Sequence, residues 1–543
     1  MSPHRVRWLL ALLCCSGFFV CTSRIHAVPE DQIRKAVKWA EDFEKQPIPA
    51  WEKAREIYEA LLGQKDPGLR IRDRYHHAQR RCWQVRRHQD PSYRKEVLSI
   101  EFGQALRLYK TISKTLLEGA VDKKKLDPTK LFGKGVEELD AALADPRFLQ
   151  EHVPAARHGD VLAFRALLRK SWGDMNKLSP EEAAKQITEV AMAAEFHLNL
   201  SATVVAMEFA CGACYAIDEY TVYLTPHQLR QLAQSLSHSE AIGVGLILTV
   251  RDNRIVVHDI VPASPADQDG ISKGDQIINV NKKAIADLPL HTVKEMLEGP
   301  VGSVVEIEIL TPGETNVRLL PLQRQRAMVA GIDATMLPEP YTSIGYLKIS
   351  SFTDATVQDV DGALTRMTQE YGMKALILDL RDNNGGIFES AIDTARRFLA
   401  SGIITSTVNH DSKANFVYHA KNPNALRAPL AVLVNGDTAS AAEVLAGALK
   451  DNNRAYLIGQ TTFGKGCTQC ILKLPSATGG IPTGGMKLTV SRFFSPKGVA
   501  YSGRGIVPHF IIDDSMPTSQ SMMNDPYHAK AVEELSRILA MQK

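Results

Sequence analysis

The stretch Asn435-Gly-Asp-Thr-Ala-Ser440-Ala-Ala-Glu-Val-Leu-Ala-Gly-Ala-Leu449, followed by Gly459-Gln-Thr-Thr-Phe-Gly-Lys465-Gly-Cys-Thr-Gln469, decides how the chain reads. Just before it, Pro429-Leu-Ala-Val-Leu-Val434 has the length and apolar content of a buried strand. The strand runs into a short Gly-containing turn, after which Val444, Leu445, Ala448 and Leu449 recur at helical spacing. Ser440 therefore falls at a strand-to-helix turn, where its hydroxyl protrudes beside the backbone N–H groups of a helix start. A nucleophilic serine needs both features. Lys465 lies between Gly464 and Gly466. A lysine acts as a general base only when neutral, and burial favours that form by penalising the ammonium, lowering its pKa from roughly 10.4. The flanking glycines would let the backbone approach the serine without side-chain clash. The plainer readings are a helix N-cap for Ser440 and a solvated loop position for Lys465.

Upstream, Ile344–Ile349 and Ala375–Leu380 read as strands, with Val357, Val360, Leu364 and Met367 marking a helix between them. Strand, helix, strand, helix, strand predicts a partly parallel sheet with covering helices over residues 317–515. Reactive residues in such sheets gather at strand ends.

Thr438-Ala-Ser440-Ala-Ala-Glu443 with Gly464-Lys465-Gly466-x-x-Gln469 resembles the carboxyl-terminal processing proteases, also called tail-specific proteases. These are serine endopeptidases with a Ser–Lys dyad and a PDZ domain. The resemblance extends to Leu378-Asp379-Leu-Arg381-Asp-Asn-Asn-Gly385-Gly386, to Lys487-Leu-Thr-Val-Ser-Arg-Phe-Phe-Ser-Pro496-Lys-Gly498, to Gly505-Ile-Val-Pro508, and to Ile217–Pro226 upstream. It implies Ser440 as nucleophile, Lys465 as base and Gln469 as the third catalytic residue. If Gln469 lies on a strand, positions four apart share a face, so its amide can orient the lysine. By the same resemblance the oxyanion donors are Ala441 and the Gly385-Gly386 turn, with either glycine as donor. Asp379 and Arg381 read as structural partners. Ala442 stands where many members carry a second serine, and Asp437 is an acidic neighbour that would disable Lys465 if it held the amine protonated.

Residues 236–316 read as a separate small β-rich barrel with helices and resemble a PDZ domain. Gly243, Val244 and Gly245 form a loop whose N–H groups can hold a carboxylate. The strand that starts at Leu246 offers an edge to an extended peptide, and Val293 and Leu297, one helical turn apart, would wall an apolar pocket. The partners expected are protein or peptide substrates with accessible C-termini.

Residues 28–235 are helical by pattern, with Trp51, Ala54, Ile57, Tyr58 and Leu61 as one example, and 516–543 read as a helical tail. The expected architecture is thus a multidomain α/β chain: an N-terminal helical domain, a PDZ domain and an α/β protease core with a mixed sheet. Residues 1–27 read as a signal peptide, with His4, Arg5 and Arg7, an apolar run Trp8–Val20, and Ala27 at a cleavage point. An uncleaved anchor is the alternative and the one expected route to a membrane; either outcome puts the chain outside the cytoplasm, in the periplasm or beyond. A formal net charge of +3 from 64 basic and 61 acidic residues argues against a nucleic-acid partner. No H-E-x-x-H occurs, and no metal or other cofactor is expected. Cys211/Cys214 and Cys467/Cys470 form two C-x-x-C pairs, open to free thiols, disulfides or, more remotely, zinc. Because Cys467 and Cys470 flank Gln469, a redox influence on the dyad is a further expectation.

Overall fold

A computed structural model of the chain describes residues 30–62, 71–155, 157–236, 241–251, 254–261, 264–286, 288, 293, 296–314, 316–327, 331–476, 483–512 and 525–541. The signal-peptide reading lies outside these. The chain divides into two compact units, one of residues 1–82 with 239–330, the other of 83–238 with 331–543. The expected helical region 28–235 therefore divides, its larger part packing with the core.

In the first unit the helices Glu30–Glu44 and Trp51–Leu61 bury Ile33, Val37, Ile57, Tyr58 and Leu61 against each other, following the helical spacing of those residues. Residues 246–323 form an antiparallel sheet in the order Leu246–Arg251, Arg254–Ile260, Gln276–Val280, Val304–Leu310, Arg318–Gln323. Leu246–Arg251 is an edge of that sheet. Its core contains Val244, Leu248, Ile277, Val280, Val305, Ile307 and Leu322. Val293 and Leu297 belong to the same core, at 0% and 5% exposure.

The second unit is built on two sheets. The central one runs Ile332–Met336, Ile344–Ile349, Ala375–Asp379, Leu430–Val434, Tyr456–Gly459, Phe510–Ile511. Its first pair is antiparallel and the rest are parallel. Every residue of Ala375–Asp379 and Leu430–Val434 is buried, as expected of parallel strands covered on both faces. One face packs on the helices Thr356–Gln369, Phe388–Phe398 and Ala441–Asp451. The other is covered by Tyr527, Ala531 and Leu535 of the C-terminal helix Pro526–Met541. Arg381 fastens that helix, bonding both Asp379 and Asp525 at 2.6 Å. Asp379 and Arg381 are structural partners, as the sequence implies.

The second sheet is antiparallel and centred on the long strand Gly485–Phe494. Cys467–Lys473 runs along one side of it; Val222–Leu224 and Ser401–Asn409 share the other. Against this sheet pack the helices of residues 102–214, whose apolar core is continuous with Tyr223, Leu474, Met486 and Leu488. That shared core is the physical reason these helices do not separate from residues 331–541. At its centre the helix Ala202–Cys214, buried from Thr203 onward, carries one carboxylate, Glu208, which accepts from Arg87, Gln84 and His88 at 2.7–2.9 Å.

Candidate active site

The Leu430–Val434 strand ends in a turn held both by its own hydrogen bonds and by bonds to the neighbouring loops. Asn435 N–H donates to Thr438 Oγ1, and that hydroxyl donates to the Leu380 carbonyl. Ser440 follows with φ +57° and ψ −119°, a conformation that L side chains rarely adopt, directly ahead of the helix Ala441–Asp451. Such a strained strand-to-helix turn pushes a hydroxyl clear of the sheet.

Glu443, on the first turn of that helix, is fully buried. Its Oε2 accepts the Ser440 N–H at 2.9 Å and the Lys465 N–H at 2.8 Å. Its Oε1 accepts the Thr462 hydroxyl at 2.6 Å and the Gly464 N–H at 2.7 Å. The serine turn and the lysine loop, far apart in sequence, thus share one carboxylate. Burial pushes this carboxyl above its usual range and the four donors pull it back; the net direction is up. All four partners are donors, a pattern that only the ionised form can accept in full. The sequence quoted Glu443 only as part of a motif. An acid three residues after a Ser at a helix start is the signal that marks this backbone tie.

Lys465 is largely buried and makes no ion pair among the described residues. Its Nζ stands 5.3 Å from the centre of the Tyr220 ring. Burial lowers its pKa, with Cys467, Glu443 and Asp218 opposing. Asp437, feared as a neighbour, is exposed on the turn and is not among those groups. Gly464 and Gly466 do not serve an approach to the serine. A Cβ on Gly464 would stand 2.8 Å from Gly505 N, and one on Gly466 would stand 2.6 Å from Ser502 N, so the glycines let the lysine loop lie on residues 501–505.

Gln469 departs from expectation. Lys465 precedes the strand, which starts at Cys467, and a bulge between Thr468 and Gln469 breaks the alternation. Gln469 Nε2 donates to Cys467 Sγ at 3.1 Å and Cys467 O at 3.3 Å, and makes no hydrogen bond to Lys465. Cys467 is a free, buried thiol that burial pushes up to about 12, so it stays protonated. Three residues apart on one strand, Cys467 and Cys470 span too far for a disulfide. Cys211 and Cys214 are likewise free and buried.

The two glycines of the Asn-Gly-Gly turn differ. Gly385 has φ +107°, and a Cβ there would lie 2.9 Å from the Ser440 Cβ and 3.1 Å from Ala441 N. Its own N–H is occupied, donating to Asn383 Oδ1 at 2.8 Å. Gly386 has φ +134°, a Cβ there would collide with the Phe352 carbonyl, and its N–H finds no acceptor among the described residues. Ala441 N–H, in the first helical turn, has no intrahelical acceptor either. Asn383 locks these pieces together, since its carbonyl accepts the Ala439 N–H at 2.9 Å and its amide donates to Ile349 O at 2.8 Å. Asn383 was quoted in the sequence without a role.

In the peptide-binding candidate of the first unit, Gly245 has φ +82° and a Cβ there would overlap Ser264. Gly243 is open, with nothing within 4 Å of a built Cβ. Leu246 is partly buried at the start of the edge strand, while Val244, Val293 and Leu297 are buried in the core. His509 accepts the Leu457 N–H through Nδ1.

Residues 343–512 match peptidase family S41, and residues 234–310 match the PDZ domain. The chain is 33% identical over 308 residues to the carboxyl-terminal-processing protease of Picosynechococcus sp., covering 56% of this chain and 72% of that protein. The chain belongs to the carboxyl-terminal-processing protease family. A Synechocystis sp. member is 33% identical over 304 residues, covering 55% of this chain and 69% of its own. The chloroplastic C-terminal processing peptidase of Tetradesmus obliquus is 32% identical over 316 residues, covering 55% of this chain and 66% of that protein. The chain spans 59% of a chloroplastic relative from Arabidopsis thaliana. Among solved structures, a photosystem II D1 C-terminal processing protease aligns with a TM-score of 0.39 and 25% identity, over 77% of this chain and 96% of that one. Among the described residues no helix is long and apolar enough to cross a membrane, and no group of three or more His, Cys, Asp or Glu is placed to hold a metal.

Proposed function

We propose that this chain is an exported serine endopeptidase that captures protein C-termini through its PDZ domain and cleaves nearby peptide bonds with a Ser440–Lys465 dyad. Ser440 Oγ attacks the scissile carbonyl while neutral Lys465 takes its proton. The lysine then returns that proton to the leaving amine, and water resolves the acyl-enzyme by the same route. Ala441 N–H and Gly386 N–H are the oxyanion donors; Gly385, its N–H already given to Asn383, shapes the turn instead. Gln469 has to turn from Cys467 toward Lys465 for the orienting role. In the PDZ domain, Gly243, Val244 and Gly245 receive the terminal carboxylate, the Leu246–Arg251 edge pairs with the peptide, and Val293 and Leu297 back the pocket for its last side chain.

The observation that carries this reading is the single carboxylate of Glu443, which holds both the Ser440 and Lys465 amides, beside a lysine amine that is buried and lacks an ion pair. The test is cleavage of a protein with an apolar C-terminal residue by the wild type, Ser440→Ala and Lys465→Ala. Cleavage by the wild type alone is expected, weakened when the last residue is made charged. Binding without cleavage by all three would mark a peptide-binding scaffold and overturn the proposal.

A further inference from the structure

The oxyanion turn leads into a row of aromatic rings that has no task in the chemistry above. Phe388 follows Gly386 by two residues and opens the helix Phe388–Phe398. Its ring meets that of Phe493 at 5.8 Å and that of Tyr418 at 5.6 Å, and Tyr418 meets Phe416 at 4.7 Å. The last two contacts are edge to face. The inner end is tied to the lysine loop, because Phe493 N–H donates to the Gly466 carbonyl at 3.1 Å. Exposure rises along the row. Phe493 is buried, Phe388 and Tyr418 are half-buried, and Phe416 is 57% exposed. The row thus starts against the segments that carry the base and the oxyanion turn, and it ends open to solvent.

Phe416 and Tyr418 lie two apart on the strand Phe416–Lys421, which among the described residues has one neighbouring strand, Ser401–Asn409. They therefore share a face with their cross-strand partners Thr407 and Thr405, while Val417 points to the other face. A single exposed aromatic needs no explanation. One that extends a partly buried row from a reactive turn into water is a different matter, since continuous apolar surface of this kind marks binding. Gly385 packs on the Ser440 side chain, and Phe388 is three residues further on, so at most about 11 Å of chain separates them. Same-face side chains of an extended peptide recur about every 7 Å, close to one step of the row.

We propose that Phe388, Tyr418 and Phe416 form a substrate subsite that takes a bulky aromatic side chain beside the scissile bond of an extended polypeptide. The inference rests on the Ser440–Lys465 reading and adds what that site selects next to the cut. Continuity with the oxyanion turn names the occupant, since the chain that places its carbonyl at Ser440 is the one that passes the rings. Edge-to-face contact favours an aromatic guest over a small one, and the negative ring faces disfavour a carboxylate. A row that merely stabilised the sheet edge would leave the choice of cleaved bond untouched.

The experiment is kcat/KM on peptides that carry Phe, Ala or Glu beside the cleaved bond and share one apolar C-terminal residue, with the cleaved bond read by peptide mass. The proteins are the wild type, Phe416→Ala, Phe416→Lys, Val417→Ala and Ser440→Ala, each checked by thermal melt and sedimentation. The wild type should favour Phe over Ala by about tenfold or more. Phe416→Ala should cut that ratio by about three- to tenfold, and Phe416→Lys should move the preference toward Glu. Val417→Ala, on the opposite face, should keep the wild-type ratio. An unchanged ratio in Phe416→Ala, or an equal fall in Val417→Ala, overturns the inference, and with Ser440→Ala inactive the dyad survives it. A shift in the sedimentation of Phe416→Ala with no change in ratio marks a contact between copies of the chain and overturns it as well. Cleavage by Ser440→Ala, or none by the wild type, overturns the dyad and this inference with it. Phe416 is exposed, so its variants are expected to fold; should Phe416→Ala fail to, the ratio in Phe416→Lys decides by the same criteria.

Discussion

Two fully buried glutamates sit in the second unit and meet opposite company. Glu208, among the helices, faces a guanidinium, an imidazole and an amide. Glu443, at the site, faces three backbone amides and a hydroxyl. Burial pushes both carboxyls up, but at Glu208 the Arg87 charge and the His88 contact outweigh it and hold the group well below its usual range. At Glu443 no cation contributes, and burial prevails. The lesson is one of division of labour. The helical layer uses a compensated charge to fix packing. The site uses one with no cation beside it to align two backbone segments.

The contrast breaks first at Glu208. Glu208→Gln leaves Arg87 buried without its main countercharge and should cost about 3–5 kcal/mol, read by chemical denaturation. Turnover per folded molecule should stay near the wild-type value. Glu443→Gln should do the reverse. Its amide NH2 faces donors where an oxygen is needed, so the serine turn and lysine loop lose register. The expected loss in kcat is on the order of a hundredfold, with a stability loss of about 1–3 kcal/mol. Equal thermal and kinetic damage in both variants would abolish the distinction.

Acid sharpens the same contrast. The folded value of Glu208 is depressed, so its contribution is present above the unfolded value of about 4.3 and is lost as pH falls through the folded one. The folded value of Glu443 is raised, so its contribution is present below about 4.3 and is lost as pH rises through the folded value. Acidification through that window therefore protonates Glu443 and lowers activity without costing stability at that group. His152, which burial and the neighbouring His88 push down to about 4, adds a slope of its own. Its contribution is present above about 6.5 and fades as pH falls toward about 4. His152→Phe should flatten the fall in stability across that interval and leave the acidic limb of kcat/KM in place; His77, also down to about 4, keeps its own share. The smallest effect concerns Cys467. A buried, protonated thiol gives alkylating agents and reductants little purchase, so activity should change less than about twofold with either.

The central sheet was legible because its strands are apolar runs of the right length separated by helical spacing, as in Ala375–Leu380 and Leu430–Val434. The serine turn was legible for the same reason. Lys465 and Ser440 could be paired only through family resemblance, since no local pattern says that a loop 25 residues on will return to a helix start. The carboxylate that effects the return stood in plain view as Glu443, but an acid on the first turn of a helix usually points to water. The face of Gln469 was misjudged because a single bulge reverses strand parity, and bulges leave little trace in sequence. The division of the helical half was hidden because a shared core between helices 102–214 and a distant strand is a tertiary fact.

The most direct test of the account is the rate at which a small fluorophosphonate modifies Ser440, followed across pH by peptide mass in the wild type and in Lys465→Met. A neutral lysine activating that hydroxyl predicts a wild-type rate governed by one group titrating well below the ordinary lysine value of about 10.4, and almost no modification in the variant. Labelling of Ser440 that proceeds equally in Lys465→Met would contradict it.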